Sequence, residues 1–241
     1  GDTGTNMSLT IGTAATELKK GDQASIGQAA STTASALLRG ARGNSGVILS
    51  LLFRGMSKAL KGHDTADGTL LAAAMQEGVA AAYGAVMKPA EGTVLTVSRL
   101  ASKRAAEAAE ENNDVEYILA EAIRVGYDVL AQTTDMNPVL KKAGVVDAGG
   151  KGYLVILGGM LSALRGEPMP EVAEEAAAQD KADFASLTDE EITFTFDTVF
   201  IVRKTTNRPL EGLRAYLSSI GDSLVIGEDD EAFKVHVHTN I

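Results

Sequence analysis

The chain has 241 residues, 45% of them apolar, with no cysteine, no tryptophan and a formal charge of -10. That charge excludes a surface built for nucleic acid or an acidic membrane, which needs a basic patch, and the absence of cysteine excludes disulfides and thiolate chemistry. No apolar run reaches the ~20 residues of a membrane-spanning helix, so a cytoplasmic protein with no transmembrane segment is expected.

Aromatic residues are scarce, at 5%, while glycine is abundant, which points to closely packed helices rather than a β-sandwich. From Thr5 to about Arg165 the apolar residues recur at helical spacing in blocks separated by short polar or glycine-bearing breaks. Helices are expected over Asn6 to Lys20, Asp22 to Arg39, Ser45 to Lys61, Asp67 to Met87, Thr93 to Glu111, Asp114 to Gln132, Asn137 to Ala143 and Ala148 to Leu164. Loops this short make successive helices antiparallel, giving an up-and-down bundle or a closed ring.

After Arg165 the pattern changes. Residues 167–190, with Pro168 and Pro170 followed by an Ala- and Glu-rich stretch, read as a linker with a surface helix inside it. Ile192 to Val202 alternates as a strand does, Pro209 to Ile220 is helical with proline in its first turn, and Ser223 to Ile226 and Ala232 to His238 are two further strands. The expected domains are a helical one over 1–166, the linker, and a small α+β one over 191–241 with β-α-β-β order.

Four glycine-bearing turns, Gly1 to Met7, Gly40 to Gly46, Glu91 to Thr93 and Val146 to Gly150, each stand just before an expected helix. Helix N-termini carry unpaired N–H groups and a positive dipole end, so four of them suit a phosphate-bearing ligand. The first turn also offers a carboxylate, Asp2, beside the hydroxyls of Thr3 and Thr5 and the amide of Asn6, a set able to hold a hard cation against phosphate; capping of the helix by Asp2 or Thr5 is the plainer alternative. The glycines from Gly40 follow a helical pattern rather than a strand, and GxxxxGK[ST] does not occur, so neither a Rossmann nor a P-loop site is expected.

A second group lies near the end of the chain. On a strand, Lys234, His236 and His238 share one face while Phe233, Val235 and Val237 share the other. The two histidines could form half of a metal site, a proton-transfer pair or an exposed surface feature. His63, in a Gly-His-Asp loop, reads as a surface residue.

Taken together, Gly1-Asp2-Thr3-Gly4-Thr5-Asn6-Met7, Ala41 to Ile48, Glu91 to Thr96 and Gly144 to Gly150 resemble the ATP-binding domain of dihydroxyacetone kinases, and most closely the A-type subunit of bacterial fatty acid kinase. The segment ending in Lys234 to Asn240 resembles that subunit's middle domain. The resemblance implies an all-α closed barrel of eight antiparallel helices followed by a small α+β domain, with ATP or ADP at one end of the barrel and two Mg²⁺ ions held by carboxylates. Asp2 matches one of those carboxylates, and others are expected upstream of Gly1, in keeping with a fragment of a longer protein. The same carry-over assigns Thr3, Gly4, Thr5 and Asn6 to the phosphates, Ser45 and Gly46 as donors to them, Gly92 and Thr93 to enclosing the nucleotide, and Asp147 with Gly149 to its base or ribose. No arginine stands near Thr134, which favours the fatty acid kinase branch over the dihydroxyacetone one.

In the middle domain the resembling histidines are functional and a cysteine joins them at a zinc site; Asp197 stands where that cysteine would be. Asp197, His236 and His238 are therefore candidate catalytic residues and a candidate second metal site, for Zn²⁺ or a harder ion. The implied activity is transfer of the ATP γ-phosphoryl group to the carboxylate of a fatty acid held by a separate carrier subunit, with a further domain beyond Ile241 docking that carrier. A homodimer is left open. Two rival readings are a kinase of dihydroxyacetone or another small polyol, and a regulator that binds nucleotide without turnover.

Overall fold

A computed structural model describes residues 2–168 and 194–241. Eight helices occupy the first part: α1 (Thr3–Leu18), α2 (Ile26–Gly40), α3 (Gly43–Leu60), α4 (Gly68–Ala85), α5 (Val94–Glu111), α6 (Val115–Met136), α7 (Pro138–Ala143) and α8 (Ala148–Leu164). After them come β1 (Phe196–Arg203), α9 (Glu211–Ile220), β2 (Gly221–Glu228) and β3 (Ala232–Thr239), the β-α-β-β order read from the sequence. The linker expected over 167–190 lies outside the described residues except for Glu167 and Pro168, as do residues 192 and 193 of the expected first strand.

Side-chain caps explain most of the helix starts. Ser25, Asp67, Asp114, Asn137 and Asp147 each accept from a backbone N–H two or three residues on, and Thr93 does so for Leu95 at 3.3 Å. Each such cap satisfies one of the donors a helix leaves unpaired at its first turn. The Ser25 cap moves the start of α2 from the expected Asp22 to Ile26. Two of these eight helices, α1 and α3, begin with no side-chain cap. Both start earlier than the sequence suggests, at Thr3 and Gly43, because Asn6 N–H already donates to Asp2 C=O and Gly46 N–H to Arg42 C=O.

The described residues fall into two compact units, one from Gly1–Pro89 and Ile192–Ile241 and the other from Ala90–Glu191. In the first, α1 to α4 pack in sequence order around Leu37, Leu49, Leu52 and Met75, all buried. Contact between α3 and α4 is backbone-close: a Cβ on Gly78 would lie 2.5 Å from the Leu52 carbonyl oxygen, so only glycine fits there. In the second unit α5, α6 and α8 pack together, with Val97, Ile118, Tyr153, Leu154 and Leu157 buried.

The three strands form one antiparallel sheet in the order β1-β3-β2. One face of β3 presents Val235 and Val237 to a core shared with Leu224, Ile226 and Leu217 of α9, and Phe233 packs at its edge. Its other face, with Lys234 and His236, is turned toward α2, α3 and α4 of the same unit: Lys234 Nζ donates to the carbonyls of Ala41 and Arg39, Arg214 donates to the Ala85 carbonyl, and Val86 bridges Val225. The sheet therefore joins α1 to α4 as one packed body, a grouping that the change of composition after Arg165 does not suggest. Among the described residues no helix is long and apolar enough to cross a membrane.

Candidate functional site

The two uncapped helix starts come together. Gly43, at φ +57°, opens α3, and a Cβ on it would lie 2.7 Å from Asn6 Nδ2 in the first turn of α1. One turn further along α1, the Thr10 hydroxyl donates to the Asn6 carbonyl at 2.6 Å and accepts from Arg42 N–H at 3.0 Å, pinning the residue before α3 to α1. Gly46 packs against the same hydroxyl, at 2.5 Å from a Cβ built there.

Thr3, Gly4 and Thr5 thus form the first helical turn rather than a loop ahead of it, and their N–H groups have no partner among the described residues. The same holds for Gly43, Asn44 and Ser45 in α3, whereas the Gly46 N–H is taken by Arg42. Six amides and two positive dipole ends at one place suit an anionic phosphate chain. Asp2 is exposed and its carboxylate makes no cap hydrogen bond, so capping does not occupy it. In the first turn of α3 the buried Oδ1 of Asn44 has no hydrogen-bond partner, an acceptor left over among groups that are otherwise donors. One carboxylate and one amide oxygen fit one Mg²⁺, which keeps several waters and phosphate oxygens as its other ligands. A second ion finds no further carboxylate in this turn.

The other two turns meet within the second unit. Thr93 caps α5 and donates to the Ala90 carbonyl, and the Gly92 N–H donates to Thr96 Oγ1 at 2.9 Å, which in turn donates to Glu91. Gly149 lies against Val94, with only 3.3 Å from a built Cβ to that side chain. Asp147 caps α8 through Gly150 N–H at 2.6 Å, and its own N–H donates to Thr133 Oγ1. Burial pushes the Asp147 carboxyl above its ordinary range, against the pull of the Gly150 and Val94 amides that donate to it. This carboxylate is spent on two helix starts.

On the sheet, Asp197 of β1 stands opposite His238 of β3, and Val199 opposite His236. Asp197, His236 and His238 can each turn one ligand atom to within 4.8 Å of the others. His236 is buried to 1% exposure, which rules out the surface-feature reading for it, while Asp197 is open. Its Nδ1 lies 3.3 Å from Asp197 Oδ1 but out of hydrogen-bond geometry, so both ring nitrogens are buried without a hydrogen-bond partner. Burial pushes the His236 pKa down, the Asp197 carboxylate opposes that shift, and the neighbouring His238 ring adds to it. A neutral imidazole with unused lone pair, a second imidazole and an open carboxylate are a donor set that fits Zn²⁺.

Two participants escaped the sequence reading. Asp222 of β2 pairs with His238 from the opposite side, Oδ1 to Nδ1 3.5 Å, because a register shift between Asp222 and Val225, with Ser223 at φ +55°, lets the strand begin at Gly221. Sequence spacing carries no signal for that irregularity. Lys234, placed on the histidine face, is the tie to the Ala41 turn; a lysine inside an apolar alternating strand was the available hint.

Two family models match the chain: the DAK2 domain over residues 1–162, and the FakA-like middle domain of fatty acid kinase over residues 193–241. Among curated relatives, Protein YloV of Bacillus subtilis is 42% identical over 248 residues, covering 99% of this chain and 45% of its own length. An uncharacterised protein of Staphylococcus saprophyticus is 40% identical over 247 residues, and one of Staphylococcus aureus 41% over 251, each with the same two coverages. The chain spans about half the length of the curated relatives it matches. With one family covering the helices and the other the sheet, the chain belongs to the DAK2-domain family, as a kinase-related subunit of the fatty acid kinase A type.

Proposed function

We propose that this chain is the nucleotide-binding and middle part of a fatty acid kinase, in which ATP phosphorylates the carboxylate of a fatty acid presented by a separate carrier subunit. The observation that carries the reading is the pairing of the two uncapped helix starts through Asn6, Gly43 and Thr10. In this reading the amides of Thr3 to Thr5 and Gly43 to Ser45 receive the phosphates, and Asp2 with Asn44 Oδ1 faces a cation. Bound Mg²⁺ would supply charge neutralisation on the transferred phosphoryl group. Phosphoryl transfer asks for positioning and electrostatics rather than a protein nucleophile, which fits a turn of amides and hydroxyls.

The finer parts of the proposal are closure of the eight helices into a barrel, a place for Thr93, Asp147 and Gly149 beside the base or ribose, and a cytoplasmic location. Asp197, His236 and His238 are assigned as a metal cluster of the middle domain. The match of residues 193–241 to the middle domain of fatty acid kinase favours the fatty acid acceptor over dihydroxyacetone.

The test is γ-phosphoryl transfer from labelled ATP by the full-length protein, offering fatty-acid-loaded carrier and free dihydroxyacetone in parallel. Labelled acyl phosphate supports the reading. Labelled dihydroxyacetone phosphate replaces it with the small-polyol kinase, and label on neither points to a nucleotide-binding regulator.

A further inference from the structure

A cleft of about 720 Å³ lies inside the first unit, between the α2–α3 pair and the turn that joins β2 to β3. Its two sides carry opposite charge. Along α3, Arg54, Lys58 and Lys61 are spaced four and three residues apart and so share one stripe. The facing turn contributes Asp230 and Glu231.

At one end the two sides meet: Arg39 of α2 reaches Glu231, Nη2 to Oε2 2.7 Å. Elsewhere they stay apart. None of Arg54, Lys58 and Lys61 has an ion-pair partner among the described residues, although four acidic residues line the same cleft. One of those four, Glu228, is already paired with Lys204 at 2.7 Å. Three like charges on one helix stripe repel one another, and on a chain of net charge -10 counter-charge is plentiful. That they stand unpaired along an open cleft, with the Ser31 and Ser35 hydroxyls across from them on α2, describes a site that wants an anion supplied from outside.

We propose that this cleft binds a small dipolar organophosphate, its phosphate on Arg54, Lys58 and Lys61 and a cationic ammonium end toward Asp230 and Glu231. Phosphate suits a side with several cations and hydroxyls better than a single carboxylate does, because it offers more acceptor oxygens and about two charges at neutral pH. A ligand carrying only negative charge would be repelled by the acidic turn. The volume admits a small molecule, and the lining residues belong to outer faces of α2 and α3 rather than to their paired starts, so the site does not depend on the nucleotide reading.

Calorimetric titration of the intact chain with O-phosphoethanolamine tests the proposal, with inorganic phosphate and ethanolamine titrated separately. Saturable binding of O-phosphoethanolamine is expected, at least tenfold tighter than that of inorganic phosphate, with none for ethanolamine. Lys58→Gln and Arg54→Gln should each weaken it severalfold and Asp230→Asn should narrow its advantage over phosphate, while Gly43→Ala leaves it unchanged. Lys58 is exposed, so its replacement does not threaten the fold. Absence of saturable binding to the unsubstituted chain overturns the site. Equal affinity for inorganic phosphate overturns the dipolar class, and loss of binding in Gly43→Ala with none in Lys58→Gln would move the ligand to the paired helix starts.

Discussion

Lys234 Nζ donates to the Ala41 carbonyl at 2.6 Å, across 193 residues of sequence, and so ties β3 to the turn that opens α3. The ammonium is buried, and burial, with the nearby Arg42 charge, pulls its pKa below the ordinary lysine value. Lys234→Met should cost about 1 kcal/mol of stability, since a charged hydrogen bond worth ~2 kcal/mol is lost while a buried charge is relieved. Because Ala41 stands two residues before Gly43, ATP affinity should fall severalfold. Thermal melting and nucleotide titration check the pair of effects; unchanged ATP affinity would show the tie to be structural only.

Asp2 separates chemistry from folding. Its carboxylate caps nothing, so Asp2→Ala should shift stability by less than ~0.5 kcal/mol. In the full-length protein it should abolish Mg²⁺-dependent phosphoryl transfer. Retained turnover in that variant removes Asp2 from the metal site.

Gly43→Ala faces two obstacles, the left-handed φ of +57° and the 2.7 Å approach of Asn6 Nδ2. The backbone term alone is ~1 kcal/mol. Pairing the substitution with Asn6→Ala should recover the steric part of the loss in melting temperature but not ATP binding, which needs both helix starts in place. Full recovery of ATP binding in the double variant would show that Asn6 merely fills space.

For the sheet cluster, Zn²⁺ should raise the melting temperature, and a chelator should reverse the rise. His236→Gln should remove the effect. Asp197→Cys should tighten Zn²⁺ by an order of magnitude or more, because thiolate is the softer ligand. A melting temperature indifferent to Zn²⁺ in both Asp197 forms would refute the cluster as a metal site.

Asp147 has an unusual sign. Its folded pKa lies above the ordinary 3.8, so over the interval just above that value the folded chain holds a proton the unfolded chain has lost. Stability from this group is therefore present at low pH and lost as pH rises through the folded pKa. Asn is also a good cap acceptor and carries no charge, so Asp147→Asn should match the parent at low pH and equal or exceed it at neutral pH. Asp147→Ala, which loses the cap, should be about 1 kcal/mol less stable throughout. Melting curves of the three proteins across the acid range decide this, and a destabilised Asp147→Asn at neutral pH contradicts it.

The sequence by itself determined the helices and strands, because apolar spacing of 3.6 or 2 residues is a local property and each cap sits within three residues of the group it satisfies. The end of α5 at Glu111, both ends of α8 and the β-α-β-β order needed nothing further. It also determined the candidate site residues, since the glycine turns and the His236–His238 alternation are contiguous motifs. Tertiary structure alone decided what those residues face. That α1 and α3 start uncapped and side by side, that His236 is buried while Asp197 is open, and that Lys234 reaches Ala41 all depend on contacts between distant segments. Such contacts are set by how faces pack, and burial, pairing and pKa follow from packing rather than from neighbours in the chain.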